Sequence, residues 1–263
     1  MTRLLREYEK VITIISVLIG SLLIWEIVVR VFSVRHFLLP APSAILADIF
    51  KNWDVYLQNS VATLEVTLTG FALAVIFGVL FAVAIVHSRF LEHAFSTLLV
   101  SLNSLPKVAL APLFVIWLGT GMASKTMVAV TIAIFPIVID TALGLRSIDP
   151  DVLNMANAMR ASRWQVLLRV RFPNALPALF AGMKVAISLA LVGTIVGEFV
   201  AGNAGLGNAI LAAQATFDTP QVFASIIVLG LIGTVLFYVI DFLERKLVPW
   251  HASQRLSSGM ATA

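Results

Sequence analysis

The chain contains no cysteine and few charged residues. Cysteine is absent from all 263 positions, which excludes disulfide scaffolds, cysteine-ligated zinc, thiol nucleophiles and iron–sulfur clusters. Only 12% of the residues are charged and 60% are hydrophobic, whereas a soluble domain is about half apolar and roughly one quarter charged. This composition argues against a soluble globular protein and predicts that the chain is embedded in lipid.

Motifs for nucleotide binding, metal binding and catalysis are also missing. No glycine is followed by lysine, which excludes a phosphate loop of the Gly-x-x-x-x-Gly-Lys-Ser/Thr type. The histidines form neither His-x-x-x-His nor His-Glu-x-x-His, the spacings typical of helical zinc sites. We therefore expect a protein that is not an enzyme and that itself binds no cofactor or metal. The histidines interpreted as loop or interfacial residues are His36, His87, His93 and His251.

Basic residues outnumber acidic ones by 18 to 14 and give a formal net charge of +4. They lie between long apolar blocks instead of forming one basic stripe with interleaved aromatics, so we expect no nucleic-acid partner. If the N-terminus is cytoplasmic, most of the basic residues lie in cytoplasmic segments, as is usual for membrane proteins. The sequence therefore predicts that both termini are cytoplasmic. The basic residues then assigned to outer loops are Arg30, Arg35, Lys51 and Lys125.

Six apolar blocks each have about the 20 residues that a helix needs to cross a bilayer. The first is interpreted as an uncleaved anchor, because it is too long for a signal peptide and no small-x-small cleavage site follows it. The predicted fold class is an all-α polytopic membrane protein with about six transmembrane helices. The blocks span residues 11–29, 62–86, 94–118, 127–143, 176–200 and 222–243.

Two segments between or within these blocks are irregular. Pro106, Lys107 and Pro112 interrupt the block 94–118, which fits either a kinked span or a broken helix that lines a path. After Pro42, the apolar residues predict a short amphipathic helix on the membrane surface; they are Ala44, Ile45, Ala47, Ile49 and Phe50.

One polar segment, 146–177, carries clear signals for two short helices. Asp149 is a good N-cap and Pro150 suits the first helical position, so a first helix is expected from Pro150 to about Met159. Ser162 followed by Gln165 is a capping box that starts a second helix, which Pro173 is expected to stop.

This helix pair is more typical of a protein-docking element than of a DNA reader. It lies between two predicted spans, and Trp164 with neighbouring leucines offers an apolar anchor rimmed by Arg163, Arg169 and Arg171. The alternative is that its arginines hold the loop against lipid headgroups.

Several segments resemble the permease subunits of ABC importers. NMANAMRASRWQ at 154–165, followed by FPNALP at 172–177, is similar to the cytoplasmic signature of that family: Glu-Ala-Ala, three residues, Gly, and a later hydrophobic residue with Pro. Three further segments resemble the nitrate, sulfonate and taurine branch of that family: LPAPS at 39–43, LPKVALAPL at 105–113, and GEFVA at 197–201 with GLG at 205–207. The resemblance covers nearly the whole chain.

The resemblance implies a type I ABC importer permease fold and a set of partners. The chain would be a single permease domain, 1–263, with an extra N-terminal helix at 11–29, core helices over about 62–243 and a coupling loop at 146–177. The implied partners are a dimer of ATPase subunits that uses ATP and Mg²⁺, a second permease copy, most simply in a homodimer, and a periplasmic or lipid-anchored solute-binding protein. The bacterial inner membrane would surround it.

Matching the signature residue by residue gives the candidate ATPase-coupling residues, with two departures from the family pattern. Asn154 stands where the family has Glu, and Arg160 stands where it has Gly. If that turn is left-handed, Arg costs on the order of 1 kcal/mol relative to Gly, so either the turn has rearranged or Arg160 contacts the ATPase. The candidates are Asn154, Ala156, Arg160, Ser162, Arg163, Trp164, Gln165 and Pro173.

Carboxylates inside apolar blocks give a second candidate site. Glu198 lies toward the outer end of its block and is followed by a glycine-rich stretch, so we expect it to line or brace an outer gate, together with Gly197 and Asn203. Gly193 and Gly197 form a Gly-x-x-x-Gly pattern that predicts close helix packing. The carboxylates expected at the membrane interface are Glu65, Asp140 and Asp241.

The predicted function is translocation of a small solute by alternating access, driven by a partner ATPase. Sulfonates, nitrate and heterocyclic vitamin precursors are all candidate solutes. The alternative is a secondary transporter driven by an ion gradient, in which the intramembrane carboxylates would be relay sites.

Overall fold

The computed structural model describes residues 2–35, 37–88 and 105–250, and within these ranges the only regular structure is helical. The all-α prediction is confirmed. The α-helices are α1 (Thr2–Val31), α2 (Pro42–Lys51), α3 (Trp53–His87), α4 (Ala111–Leu118), α5 (Met122–Arg146), α6 (Pro150–Ala158), α7 (Arg163–Val166), α8 (Phe172–Ala201), α9 (Leu206–Ala215) and α10 (Thr219–Leu247).

Four helical segments of the described residues are long and apolar enough to cross a membrane: Trp53–His87, Met122–Arg146, Arg163–Ala201 and Thr219–Leu247. They contain four of the predicted apolar blocks. Helix α1 contains the first block, 11–29. The block 94–118 lies partly outside the described residues, and its described end is a 3₁₀ turn, Lys107–Leu110, followed by α4.

Helix α5 is held between α3 and α8 by small residues. A Cβ at Gly70 of α3 would lie 2.6 Å from the Cβ of Ala129, and one at Gly193 of α8 would lie 2.7 Å from the Cα of Ala129. The backbones can approach this closely only because those positions lack side chains, which is how helices pack in lipid. The Gly193 and Gly197 pattern therefore does bring two helices together, with Gly197 against Lys125.

The surface helix predicted after Pro42 is α2, with Pro42 in its first turn. A carboxylate of α1 caps it: Glu26 accepts hydrogen bonds from the Ser43 backbone N–H at 3.0 Å and from the Ser43 hydroxyl at 2.7 Å. Arg30 pairs with the same carboxylate at 2.6 Å. Glu26, the one acidic residue in the first apolar block, thus joins α1 to α2.

An ion-paired cluster joins α8 to α10. Lys184 contacts Asp241 and Glu244 at 2.5 Å each, and Arg245 contacts Asp241 at 2.7 Å. A charge inside a bilayer is tolerated mainly when it is paired or faces the bundle interior. Asp241, expected at the interface, therefore has a specific cationic partner, while Glu65 is exposed and Asp140 is half-buried beside Gly182.

Pro173 does not stop the second short helix, so that prediction is wrong. The chain passes from α7 through a π-helical turn, Leu167–Arg171, directly into α8, which has Pro173 in its first turn. A continuous helix tolerates this proline because the π-helical turn before it adjusts the backbone hydrogen bonds that the missing N–H would disturb. The residue marks a change of helical register and not an end.

Candidate functional site

The candidate site has two parts at opposite ends of α8. Before Phe172 lies the helix pair, which we define as α6 and α7, and at the Ala201 end lies the Glu198 cluster, defined as Asn59, Thr63, Glu198, Gly205 and Gly207. Helix α8 has 30 residues, which corresponds to a length of about 45 Å. The two parts are thus about one bilayer apart.

Both helices of the pair begin at the predicted caps. The Asp149 carboxylate accepts a hydrogen bond from the Asp151 N–H at 2.9 Å. Ser162 and Gln165 form the predicted capping box, in which the Gln165 N–H donates to the Ser162 hydroxyl at 3.3 Å and the Ser162 N–H donates to the Gln165 side chain at 2.8 Å. The caps fix where the chain turns without help from distant residues.

The turn between the two helices is left-handed at Arg160, with a φ of 54°. The Arg160 N–H donates to the Asn157 carbonyl at 2.9 Å, and the Ala161 N–H donates to the Ala156 carbonyl at 3.0 Å. This pair of bonds is the Schellman motif that commonly ends a helix, and its left-handed position strongly favours glycine. Of the two explanations for Arg160, a rearranged turn is excluded, because the turn keeps the glycine-type geometry.

The candidate coupling residues divide into exposed and internal ones. Trp164 is 64% exposed and stacks on His87, the last residue of α3, with ring centroids 6.0 Å apart. Ala156 is buried and Pro173 is half-buried, so these two support the pair from inside. The exposed candidates are Asn154, Arg160, Ser162, Arg163, Trp164 and Gln165.

Glu198 is 1% exposed and organises the opposite end. One carboxylate oxygen accepts a hydrogen bond from the Thr63 hydroxyl at 2.8 Å, and the other accepts one from the Gly207 N–H at 2.7 Å. Lys125 is buried beside it, interacts with its charge and donates to the Ala204 carbonyl at 3.3 Å. A buried carboxylate needs such partners to offset the loss of water.

The start of α9 is held by three residues of two other helices, α3 and α8. The Gly205 N–H donates to the Asn59 side chain at 2.9 Å, and the Leu206 N–H donates to the Thr63 hydroxyl at 2.9 Å. Together with the Gly207 bond to Glu198, three successive N–H groups are satisfied, which otherwise lack partners at a helix start. The cluster therefore fixes α9 to α3 and α8.

Gly205 is required by both backbone conformation and space. Its φ is 113°, and a Cβ there would lie 2.1 Å from a carboxylate oxygen of Glu198. Asn203, predicted with this site, is exposed in the preceding loop and contributes none of these hydrogen bonds.

Several functional candidates were missed by sequence reasoning. Asn59 and Thr63 are four positions apart on α3, and Thr194 and Glu198 are four apart on α8. Residues with this spacing share a helix face, so polar pairs at the edge of an apolar block or within it were a usable signal. Lys184 was a similar signal, because a lysine inside an apolar block is expected to pair with a carboxylate.

The long apolar helices and the capped helix pair between two of them are typical of an integral membrane protein. The chain belongs to the family of binding-protein-dependent transport system inner membrane components, which it matches over residues 74–250. The expected relation to ABC importer permeases is thereby confirmed.

Individual relatives are similar over most of the chain. The riboflavin transport system permease protein RibX of Chloroflexus aurantiacus is 38% identical, covering 88% of this chain and 87% of its own. The formylaminopyrimidine transport permease protein ThiX of Halalkalibacterium halodurans is 34% identical over 89% and 93%. The taurine transport system permease protein TauC of Escherichia coli is 28% identical over 90% and 89%.

Solved structures agree on the fold. A chain from the crystal structure of an amino acid ABC transporter with histidines superposes with a TM-score of 0.61 at 14% identity, covering 77% of this chain and 97% of that one. A chain of the inward-facing MetNI methionine ABC transporter gives a TM-score of 0.57 at 20% identity, covering 71% and 93%. The type I importer permease fold is therefore confirmed.

Proposed function

We propose that this chain is the permease subunit of an ATP-driven importer that moves a small organic solute across the inner membrane by alternating access. The observation that carries the proposal is the helix pair: a capped, exposed element between two spans, in a chain of the binding-protein-dependent family. Both termini would then face the cytoplasm, on the same side as the helix pair.

The free energy of ATP hydrolysis would be transmitted to this chain through contact between the helix pair and the ATPase subunit. Trp164 is a large apolar side chain exposed at 64%, and buried tryptophans and arginines are the residues that most often dominate protein interfaces. We propose that Trp164 docks in a groove of an ATPase subunit that binds ATP and Mg²⁺. The complete importer would contain two permeases, two ATPases and a solute-binding protein.

For the solute we propose a flat nitrogen heterocycle. This choice is supported by the graded identity of the relatives: the riboflavin and formylaminopyrimidine permeases are 38% and 34% identical, against 28% for the taurine permease. Sulfonates and nitrate, also expected from the sequence, are the competing solutes in the experiment.

At the outer end we propose that Glu198 braces α9 and does not touch the solute. The support is its 1% exposure and the hydrogen bonds that occupy both carboxylate oxygens. A group that is fully engaged with the protein is a positioning residue, and its role would be to keep α9 in place while the spans change their arrangement.

Uptake into proteoliposomes tests the proposal and its alternative. The permease co-purified with its ATPase and binding protein is expected to accumulate labelled riboflavin or a labelled aminopyrimidine only when ATP is supplied. Uptake driven by a proton or sodium gradient without the ATPase would establish the secondary-transport alternative, and ATP-driven uptake of taurine in place of heterocycles would overturn the solute assignment.

A matched pair of variants tests the docking surface. Trp164→Ala is expected to reduce ATPase binding at least tenfold, because removal of an interface anchor commonly costs 2 kcal/mol or more. Trp53→Ala is the control, since Trp53 is comparably exposed at 56% but begins α3, at the other end of that span. Equal ATPase binding by the two variants would contradict docking through Trp164.

A further inference from the structure

A cavity of about 280 Å³ lies between the end of α3 and the helix pair. Its apolar lining includes Val83 and Val86 of α3 and Val166 of α7. Its polar lining includes His87, Arg163 and Arg171, which come from the last residue of α3, the first residue of α7 and the last residue of the π-helical turn. Three segments thus bring their nitrogen donors to one opening.

The cavity is cationic and its arginines are available. Among the described residues that line it there is no carboxylate, and within the described part of the chain neither Arg163 nor Arg171 has a salt bridge. By contrast, Arg30, Lys184 and Arg245 each contact a carboxylate. The two guanidinium groups therefore line an opening in which no described residue neutralises their charge. This arrangement favours binding of an anion from outside the chain.

The cavity lies at the ends of two membrane-spanning segments. Helix α3 ends at His87 and the segment Arg163–Ala201 begins with α7, so the opening lies between the polar ends of both segments. Basic pockets between transmembrane helices on the cytoplasmic side bind anionic headgroups. Guanidinium groups suit this task because they hold phosphate oxygens in bidentate fashion.

We infer that this cavity binds the phosphate of an anionic phospholipid, with Arg163 and Arg171 as its ligands and the valines against the first methylene groups of the acyl chains. The inference rests on the proposed function in one respect, the cytoplasmic placement of the helix pair. A free phosphate ion would pair with the same arginines but would make no apolar contact with the valines. The lining therefore favours a lipid. The bound lipid would hold α7 and the π-helical turn against α3.

This assignment gives the arginines of the loop different tasks. Arg169 is exposed and does not line the cavity, whereas Arg163 and Arg171 do. Arg169 is thus a matched control: it has the same side chain, lies two residues from Arg171 in the same π-helical turn and has no contact with the proposed phosphate.

Native mass spectrometry of the full-length permease alone, purified in a neutral detergent, tests the inference. The protein is mixed with phosphatidylglycerol, with phosphatidylcholine or with inorganic phosphate. We expect wild type and Arg169→Gln to retain phosphatidylglycerol over phosphatidylcholine, and Arg163→Gln/Arg171→Gln to lose that preference at least tenfold. The single variant Arg163→Gln should lose part of it, which keeps the test valid if the double variant does not fold.

Three results would overturn the inference: equal retention of the two lipids by wild type, equal preference in the double variant and Arg169→Gln, or binding of inorganic phosphate with no lipid preference. The last would identify a free-anion site. Because the measurement uses no ATPase, its failure leaves ATP-driven uptake untouched, and a failure of uptake leaves the lipid result standing.

Discussion

Replacing Arg160 by glycine should stabilise the turn of the helix pair. Arg160 has a φ of 54°, and a left-handed conformation costs an L-residue with a side chain about 1–2 kcal/mol, a penalty that glycine avoids. Glycine also loses more chain entropy on folding, which offsets part of the gain. We therefore expect Arg160→Gly to stabilise the Schellman turn by about 1 kcal/mol.

Hydrogen exchange of the purified permease measures this directly. The Arg160 and Ala161 amides close the turn through bonds of 2.9 and 3.0 Å, and a gain of about 1 kcal/mol slows their exchange roughly fivefold. Arg160→Ala is the control, because alanine removes the guanidinium but keeps a Cβ and therefore the strain. Equal exchange in the glycine and alanine variants would refute the strain argument.

The same variants separate strain from coupling. We predict that Arg160→Gly keeps ATP-dependent transport. A normally expressed Arg160→Gly protein without transport would show instead that the guanidinium has acquired a coupling role, and Arg160→Ala should then lose transport as well.

Further substitutions probe the outer brace and the helix contacts. Glu198→Ala leaves the Thr63 hydroxyl and the Gly207 N–H without their acceptor, so we expect a loss of about 2–5 kcal/mol and impaired transport, whereas Glu198→Gln should retain more of both; thermal unfolding and uptake measure this. Gly205→Ala should lower folded yield strongly, because its Cβ would lie 2.1 Å from the Glu198 carboxylate. Gly193→Val should separate α8 from α5, which cysteine cross-linking between these helices detects. Lys184→Met should destabilise the bundle by about 1.5–3 kcal/mol, because Glu244 loses its cation while Asp241 keeps Arg245, and adding Glu244→Gln should recover part of the loss.

Two outcomes would contradict these expectations. Glu198→Ala protein that assembles, is expressed and transports at the normal rate would rule out the brace. Gly230→Ala is the control for the glycine substitutions, since no atom lies within 4 Å of a Cβ at Gly230; a loss in this control as large as that in Gly205→Ala would mean that helix composition and not the close contact is responsible.

The helix pair was predictable because its signals are local. Asp149 caps α6 from the position next to it, and Ser162 and Gln165 cap each other across three residues. Such interactions depend only on nearby residues, so the sequence contains all that is needed. The continuous passage through Pro173 was missed because a π-helical turn changes the register without a sequence signal of its own.

The Glu198 cluster was only partly predictable because its contacts are distant in sequence. Glu198 itself stood out as a carboxylate in an apolar block. Its partner Thr63 is 135 positions away, and a threonine in a membrane helix commonly bonds to its own backbone, as Thr67 does to the Thr63 carbonyl. Only the packing of α3 against α8 shows which hydroxyl reaches the carboxylate.

The π-helical turn at Leu167–Arg171 also determines how the chain responds to changes in length. A π-turn holds one residue more than the regular helix around it, so deletion of one residue there would restore an ordinary α-helix without breaking the rod from Arg163 to Ala201. The same deletion would therefore leave α6 and α7 facing nearly the same direction. By contrast, deletion of one residue in the regular part of α8 would rotate them by about 100° about its axis, because each α-helical residue turns the chain by that amount. The π-helical turn is thus a position where this rod can change its length by one residue with little change in the orientation of the helix pair.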